Sequence, residues 1–388
     1  MRDKRDRGEL IQFIRSIEEK IDAFPNLYDH LRHKAEIIDI ERFLDQYNKN
    51  DTLLIDARSS NEFFEDHILD ALNFDILDNE ERDKVGFLYT HYSQKAAEYL
   101  AVQFAEAKID KLKIFMEKNK KANIVIYCWR GGGRSSALAH YLIELGYSVK
   151  KIYGGYKSYR QKIYDTLYNS IENYNFLVLC GMTGSGKTEI LENLREKTNQ
   201  FDIERSAGHA SSLFGKVRFG LEETVKGQAN FENNLFKELL RTPLDMNLYI
   251  SESESKRIHR FQLPDKTFQH LLNSETILID TPLESRAQRI VREYFKNPQE
   301  VYEVLHSSNF LRQIIGGKMQ EELLQMIDKG NYYDFSIWFL KFYYDKRYAN
   351  RYKNIIHTVD GKDFDKANDE VLSFYLNRAT SKNNIHVR

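Results

Sequence analysis

Cysteine is scarce, with only Cys128 and Cys180 in 388 residues. Two cysteines cannot build a disulfide framework, and the count suits a reducing compartment. Proline is scarce too, at five residues, and no low-complexity stretch marks a flexible linker, so the domains are expected to be tightly joined. A surplus of one charge is also missing, since 57 Lys and Arg face 58 Asp and Glu. Contact with a polyanion must therefore come from a local basic face and not from global attraction. No apolar run approaches the roughly 20 residues needed to cross a bilayer. The opening MRDKRDRGEL lacks the apolar centre of a signal peptide. These absences lead to the expectation of a soluble, cytoplasmic protein with no membrane partner.

What is present supports folded cores, because 41% of residues are hydrophobic and 13% aromatic. At roughly 150 residues per domain, the length predicts two or three domains. Residues 1–34 read as a helical extension whose Leu10, Phe13, Ile14, Ile17 and Ile21 share one apolar face, suited to docking on a neighbour. Over 35–168 strands alternate with helices: TLLIDAR, ALNFDIL, NIVIYC and VKKIYGG are the strand candidates, and the alternation predicts a doubly wound α/β domain. A second α/β domain is expected over 169–300, from the strands FLVLC, NLYISE and ETILID. The remainder, 301–388, is mainly helical and aromatic, with a strand at NIIHTVDG, and is expected to pack on the second domain.

The first chemical signal is YCWRGGGRSS, residues 127–136. Cys128 ends an apolar strand just before a helix that is expected to begin near Ser135. Between them, Trp129, Gly131, Gly132 and Gly133 form a loop that can turn successive N–H groups inward as an anion nest. The helix N-terminus adds its dipole, and Arg130 and Arg134 add formal charge. Such surroundings favour a thiolate, the reactive form of cysteine. The structural alternative is an inert buried thiol, the reading given to Cys180 inside its apolar strand. The spacing is also Cys-x5-Arg-Ser, used by cysteine phosphatases to hold a phosphoryl group, although Tyr127 stands where those enzymes usually carry His.

The second signal is GMTGSGKT, residues 181–188, a full G-x-x-x-x-G-K-[ST] loop between an apolar strand and a helix. The backbone around Gly181, Thr183, Gly184, Ser185 and Gly186 can wrap a diphosphate. Lys187 can reach its outer oxygens, and Thr188 can hold Mg²⁺. Glu252 and Asp280 each close a later strand and are candidates for the carboxylate that orients the metal, with Glu252 preferred. Arg286, Arg289 and Arg292 share a helical face and read as a phosphate clamp or, with some preference, a solvated face. The stretch KFYYDKRYANRYK, residues 341–353, interleaves Lys341, Lys346, Arg347 and Arg351 with aromatic rings, a composition that can stack bases and meet phosphates or can simply pack a core.

LIDARSSNEFFEDHI followed by YCWRGGGRS resembles a rhodanese domain. Asp56, Arg58 and Glu62 fall on that family's Asp-x-Arg-x-x-x-Glu and are taken as fold-stabilising. Asp66, Leu69 and Asp70 replace parts of the usual Gly-His-Ile-Pro-Gly-Ala turn. From about residue 50 to 352 the chain resembles the bacterial tRNA 2-selenouridine synthase family, through NEERDKVGFLY, ISESESKRI, GGKMQEELLQMIDKG and LKFYYDKRY as well as the two loops. The resemblance implies a transferase acting on tRNA with 2-thiouridine at the wobble position. The thiouridine sulfur is geranylated from geranyl diphosphate, and selenium from selenophosphate then displaces the S-geranyl group. It also implies a selenophosphate supplier as a partner and a role for Cys128 in receiving selenium and passing it on. Two other readings stay open: a P-loop kinase or NTPase with a regulatory rhodanese domain, and a non-enzymatic sulfur carrier or tRNA-binding protein.

Overall fold

A computed structural model of the chain describes residues 4–25, 27–31, 35–47, 50–68, 70–209, 214, 225–348 and 353–383. Leu69 and Arg351 lie outside the described residues, as does the side chain of Arg347. The chain divides into two units, Met1–Tyr164 and Asp165–Arg388.

The first unit is built on strands β1 (Glu36–Ile38), β2 (Thr52–Asp56), β3 (Leu72–Asn73), β4 (Asn123–Tyr127) and β5 (Val149–Ile152). They form one parallel sheet in the order β1-β5-β4-β2-β3. The central β4, NIVIY, is apolar apart from its first residue, and its last four residues are buried. Such a run fits a strand covered on both faces by helices. Between β3 and β4 the chain forms α1 (Asn79–His91), α2 (Gln94–Glu106) and a third helix, Ile109–Lys118. Helix α3 (Gly133–Glu144) follows β4 after the glycine loop. The N-terminal helices belong to this unit: Ile14 and Ile21 are buried in one cluster with Leu88, Ala96, Ala97 and Leu100. Their apolar face therefore docks on α1 and α2, while Phe13 stays exposed.

At the carboxyl end of β2 lies a fully buried ion pair. Asp56 is 0% exposed and Arg58 1%. The Arg58 guanidinium donates from Nε and Nη2 to the Asp56 carboxylate at 2.9 and 2.7 Å. Nη2 also donates to the Asp66 carbonyl, and the guanidinium stacks 4.0 Å from the Tyr156 ring centroid. Burial would discharge Arg58, but the hydrogen bonds and charge of Asp56 outweigh it and raise its pKa. Removing one member of a buried pair leaves an uncompensated charge in a low-dielectric site. Arg58→Ala is therefore expected to destabilise the first unit by roughly 3–5 kcal/mol. Urea denaturation measures this, and a loss below about 1 kcal/mol, the scale of a surface pair, would contradict the assignment.

The second unit carries β6 (Phe176–Cys180), β7 (Gln200–Phe201), β8 (Tyr249–Glu252), β9 (Arg257–Ile258), β10 (Phe261–Gln262), β11 (Glu275–Asp280) and β12 (Ile355–Asp360). Five of them make a parallel sheet in the order β12-β11-β6-β8-β7, and β9 and β10 pair as a separate antiparallel ribbon. Central β6 is buried at all five positions. Helix α4 (Lys187–Asn193) leaves the glycine loop after β6, and α5 (Leu283–Tyr294) follows β11. Helices between Pro298 and Phe339 enclose an aromatic core that includes Phe295, Leu323, Phe335 and Phe339. The chain then returns to the sheet. Strand β12 pairs with β11, and the last helix, Phe364–Asn383, buries Val371 and Tyr375 against the sheet core.

Candidate active sites

Both glycine loops leave the carboxyl end of a central strand, the edge of an open α/β sheet where ligands collect. In the first unit, register pairs Asp56 of β2 with Tyr127 of β4, so Cys128 leaves the end of β4 on the sheet face opposite Tyr127, in the cluster that holds Ile55, Ala57 and Ile126. Its Sγ lies 3.3 Å from the Ser135 hydroxyl, which bonds in turn to the Gly132 carbonyl at 3.1 Å. Helix α3 begins at Gly133, two residues before the expected start, so the loop is tighter than the sequence implied. A second backbone turn braces it: the N–H groups of Tyr156 and Lys157 donate to the carbonyls of Cys128 and Trp129. That approach requires glycine at 155, where a Cβ would sit 2.1 Å from the Cys128 carbonyl oxygen and φ is +57°.

The two loop arginines differ. Arg134 donates to Glu62, whose carboxylate also pairs with Arg82 and caps its own helix through Ser59. Burial pushes the Glu62 carboxyl up, but Arg134 and Arg82 hold it below the ordinary range. Glu62 thus fixes the orientation of Arg134 as well as stabilising the fold. Arg130 is exposed at the loop tip and makes no hydrogen bond or ion pair among the described residues. Trp129 is exposed beside it, tilted against Tyr156 with ring centroids 5.3 Å apart.

Lys151 carries no signal in the sequence that marks it as part of a site. Its buried ammonium donates to Ser136 at 2.8 Å. Burial lowers its pKa, and the neighbouring Cys128 charge acts the other way. The Lys151 side chain thus reaches the first turn of α3, next to the Ser135 that meets the thiol. Burial inside β6 pushes the Cys180 thiol up to about 12.

In the second unit, β6 and β8 pair Leu179 with Glu252, which sets that carboxylate beside the start of the phosphate loop. Lys187 Nζ folds over the loop and donates to the Gly181 carbonyl at 2.9 Å. The Ser185 hydroxyl is buried and has no hydrogen-bond partner among the described residues. A buried hydroxyl in an N–H-lined loop suits an anionic ligand. Gly186 caps α4 with φ +98°, and a Cβ there would meet the Arg289 guanidinium at 3.0 Å.

The Thr188 hydroxyl lies 3.4 Å from a carboxylate oxygen of both Glu252 and Glu204. Glu204, Glu252 and Glu254 offer ligand oxygens within 4.8 Å of one another. Burial first, and then the charges of Glu204, Asp202 and Glu254, raise the Glu252 pKa well above its ordinary value. Burial also pushes nearby Asp202 up to about 6. An all-oxygen set of carboxylates and a hydroxyl fits Mg²⁺. The rival Asp280 is exposed at the end of β11 and has no hydrogen bond to Thr188.

The preferred reading of the α5 arginines as a solvated face does not hold. Arg286 is 3% exposed and Arg289 7%, and only Arg292 is exposed. Arg286 forms a two-pronged pair with Asp345, and Arg289 donates to the Gly184 carbonyl and meets Glu189 at 3.3 Å. In the basic stretch, Tyr343 and Tyr344 are buried in the aromatic core. Phe342 is exposed, and the ammonium groups of Lys341 and Lys346 sit 5.5 and 5.7 Å from its ring centroid.

Known proteins share both units. A sequence profile described as "Rhodanese-like domain" matches residues 39–162, and one described as "tRNA 2-selenouridine synthase AAA domain" matches 174–382. The tRNA 2-selenouridine synthase of Pseudomonas fluorescens is 31% identical over 298 residues, covering 75% of this chain and 77% of that protein. Those of Nitrosomonas eutropha and Nitrosomonas europaea are each 35% identical, over 249 and 253 residues. Each of these two matches takes in 63% of this chain, and they span 63% and 64% of the respective relatives, somewhat under two thirds of their length.

Proposed function

Because the chain belongs to the tRNA 2-selenouridine synthase family, we propose that it converts wobble 2-thiouridine of tRNA to 2-selenouridine through an S-geranyl intermediate. The observation that carries this reading is the presence in one chain of a complete diphosphate loop and a thiol in an anion loop. The first step is assigned to the P-loop unit. The thiouridine sulfur attacks C1 of geranyl diphosphate, a C–S bond forms, the C–O bond breaks, and the N3 proton is lost. Lys187 and the loop N–H groups hold the diphosphate as its charge develops. Mg²⁺ held by Thr188 with Glu252 and Glu204 would neutralise part of that charge.

The second step is assigned to Cys128. The selenium of selenophosphate and the sulfur of a thiolate are both fully reduced, so direct S–Se bonding would force two electrons onto phosphorus. The balanced course is attack on phosphorus: an S–P bond forms, the P–Se bond breaks and hydrogen selenide is freed. Water then returns phosphate and the thiol. The Cys-x5-Arg-Ser spacing of Cys128, Arg134 and Ser135 suits a phosphoryl group held this way. Hydrogen selenide adds at C2, the C2–S bond breaks, and geranyl thiol departs as N3 regains its proton. The test supplies the purified protein with 2-thiouridine tRNA, geranyl diphosphate and selenophosphate, and digests the tRNA for mass spectrometry. S-geranyl-2-thiouridine without selenophosphate, and 2-selenouridine with it, are expected. Unchanged 2-thiouridine in both would reject the reading.

The tRNA surface is assigned to the Lys341–Phe342–Lys346 cluster together with Arg347 and Arg351. Phe342 offers an open face for a base, and its flanking ammonium groups offer charge for phosphates. Replacing Lys346, Arg347 and Arg351 by Ala is expected to lower the salt slope of tRNA affinity by roughly 0.7–0.9 for each phosphate left without its cation. Binding titrations across a salt series measure it. Slopes and affinities identical to wild type would move the tRNA to another surface.

A further inference from the structure

A cavity of about 380 Å³ opens within the first unit beside the Cys128 thiol. Its walls are apolar: Leu27, Ile76 and Leu77 line one part, and Val85 of α1 lines another. Ala97, Ala101 and Ala105 recur every four residues along α2 and line it as well, and larger side chains at those positions would close it. Two of the polar residues in the wall are tied to each other, since Glu98 accepts from Gln94 as well as from the Leu27 N–H. The mouth is different. There Arg130 and Arg134 stand beside the thiol, and Arg130 has no partner among the described residues.

The volume falls within the roughly 300–1,000 Å³ typical of small-molecule sites. Ordinary packing leaves few voids larger than a water molecule. An inorganic selenium or sulfur donor would be held by the N–H groups and arginines of the loop and would leave the apolar walls without a ligand. The walls call for a hydrocarbon chain whose polar end lies at Cys128.

We infer that this cavity receives the S-alkyl chain of the modified thiouridine, a branched hydrocarbon of about ten carbons. The base then lies at the Cys128 mouth and the tRNA backbone near Arg130. The inference rests on the two-step function proposed above and names where its intermediate is held. It gives the rhodanese unit a means of choosing alkylated tRNA over unmodified tRNA. An apolar pocket discriminates by about 10- to 200-fold for a single methylene, so a geranyl chain and a methyl group should differ by at least a hundredfold in apparent affinity.

The experiment measures alkylation of Cys128 by iodoacetamide in the full-length protein, read by peptide mass spectrometry with Cys180 as the buried control. The probes are the nucleosides S-geranyl-2-thiouridine and S-methyl-2-thiouridine. The geranyl nucleoside is expected to protect Cys128 at concentrations at least a hundredfold below the methyl one. Ala101→Phe and Val85→Phe fill the cavity from different walls, and each is expected to weaken geranyl protection tenfold or more. Thermal unfolding shows which variants remain folded, and either one suffices. Equal protection by the two nucleosides, or geranyl-selective protection that persists in a folded filled variant, overturns the inference. Chain-selective protection in a protein that makes no selenouridine would uphold the cavity and remove the two-step function. Selenouridine formation without chain-selective protection would do the reverse.

Discussion

Cys128→Ser abolishes selenium incorporation and leaves S-geranyl-2-thiouridine to accumulate. Serine keeps the shape of the side chain and its interaction with Ser135, 3.3 Å away in the native loop, so the fold should lose about 1 kcal/mol or less. What disappears is the sulfur nucleophile. A serine hydroxyl cannot ionise in this loop, and removal of an essential nucleophile costs on the order of 10³-fold in rate or more. The braces of the loop, namely the Tyr156 and Lys157 N–H groups and the buried Lys151 ammonium, remain in place and have nothing to act on. The geranyl step uses the other unit and no thiol, so the intermediate builds up. Selenouridine formed by Cys128→Ser at the wild-type rate would remove the thiol from the mechanism.

Lys187→Ala stops geranyl transfer at low geranyl diphosphate. The ammonium lies within the loop, 2.9 Å from the Gly181 carbonyl, where it can meet a diphosphate oxygen. At about 4 Å and an effective dielectric near 20, one such pair is worth about 4 kcal/mol, or roughly a thousandfold in affinity. Arg289 does not replace it, because its guanidinium is engaged by the Gly184 carbonyl and Glu189. Supplying tRNA that already carries the S-geranyl group should restore selenation, since that substrate no longer needs the P-loop step. Equal prenylation by mutant and wild type at subsaturating geranyl diphosphate would contradict the role of Lys187.

Both reactive loops are legible in the sequence because each is local: strand, glycine turn and helix follow one another within about a dozen residues. Groups brought in from a distance are not. Glu204 stands 16 residues beyond Thr188, and Glu62 lies 72 residues before Arg134. No periodicity links such partners, and only strand order and register bring them together. The α5 arginines defeat a sequence reading because spacing along a helix cannot distinguish water from a polar interior. Arg286 and Arg289 are buried because Asp345, Glu189 and the Gly184 carbonyl replace solvent around them. Strands β1 and β7 escape because runs of three and two residues carry too little pattern. The alanine row of α2 is visible as letters, but only the fold shows that it lines a cavity beside a thiol.

The most direct test of the account is nucleoside mass spectrometry of tRNA from cells carrying the gene, lacking it, or lacking it and complemented with wild type, Cys128→Ser or Lys187→Ala. The account predicts 2-selenouridine with wild type, 2-thiouridine alone in the deletion and with Lys187→Ala, and S-geranyl-2-thiouridine without selenouridine with Cys128→Ser. Selenouridine that persists in the deletion strain, or a wild-type strain whose 2-thiouridine is never converted, would contradict it.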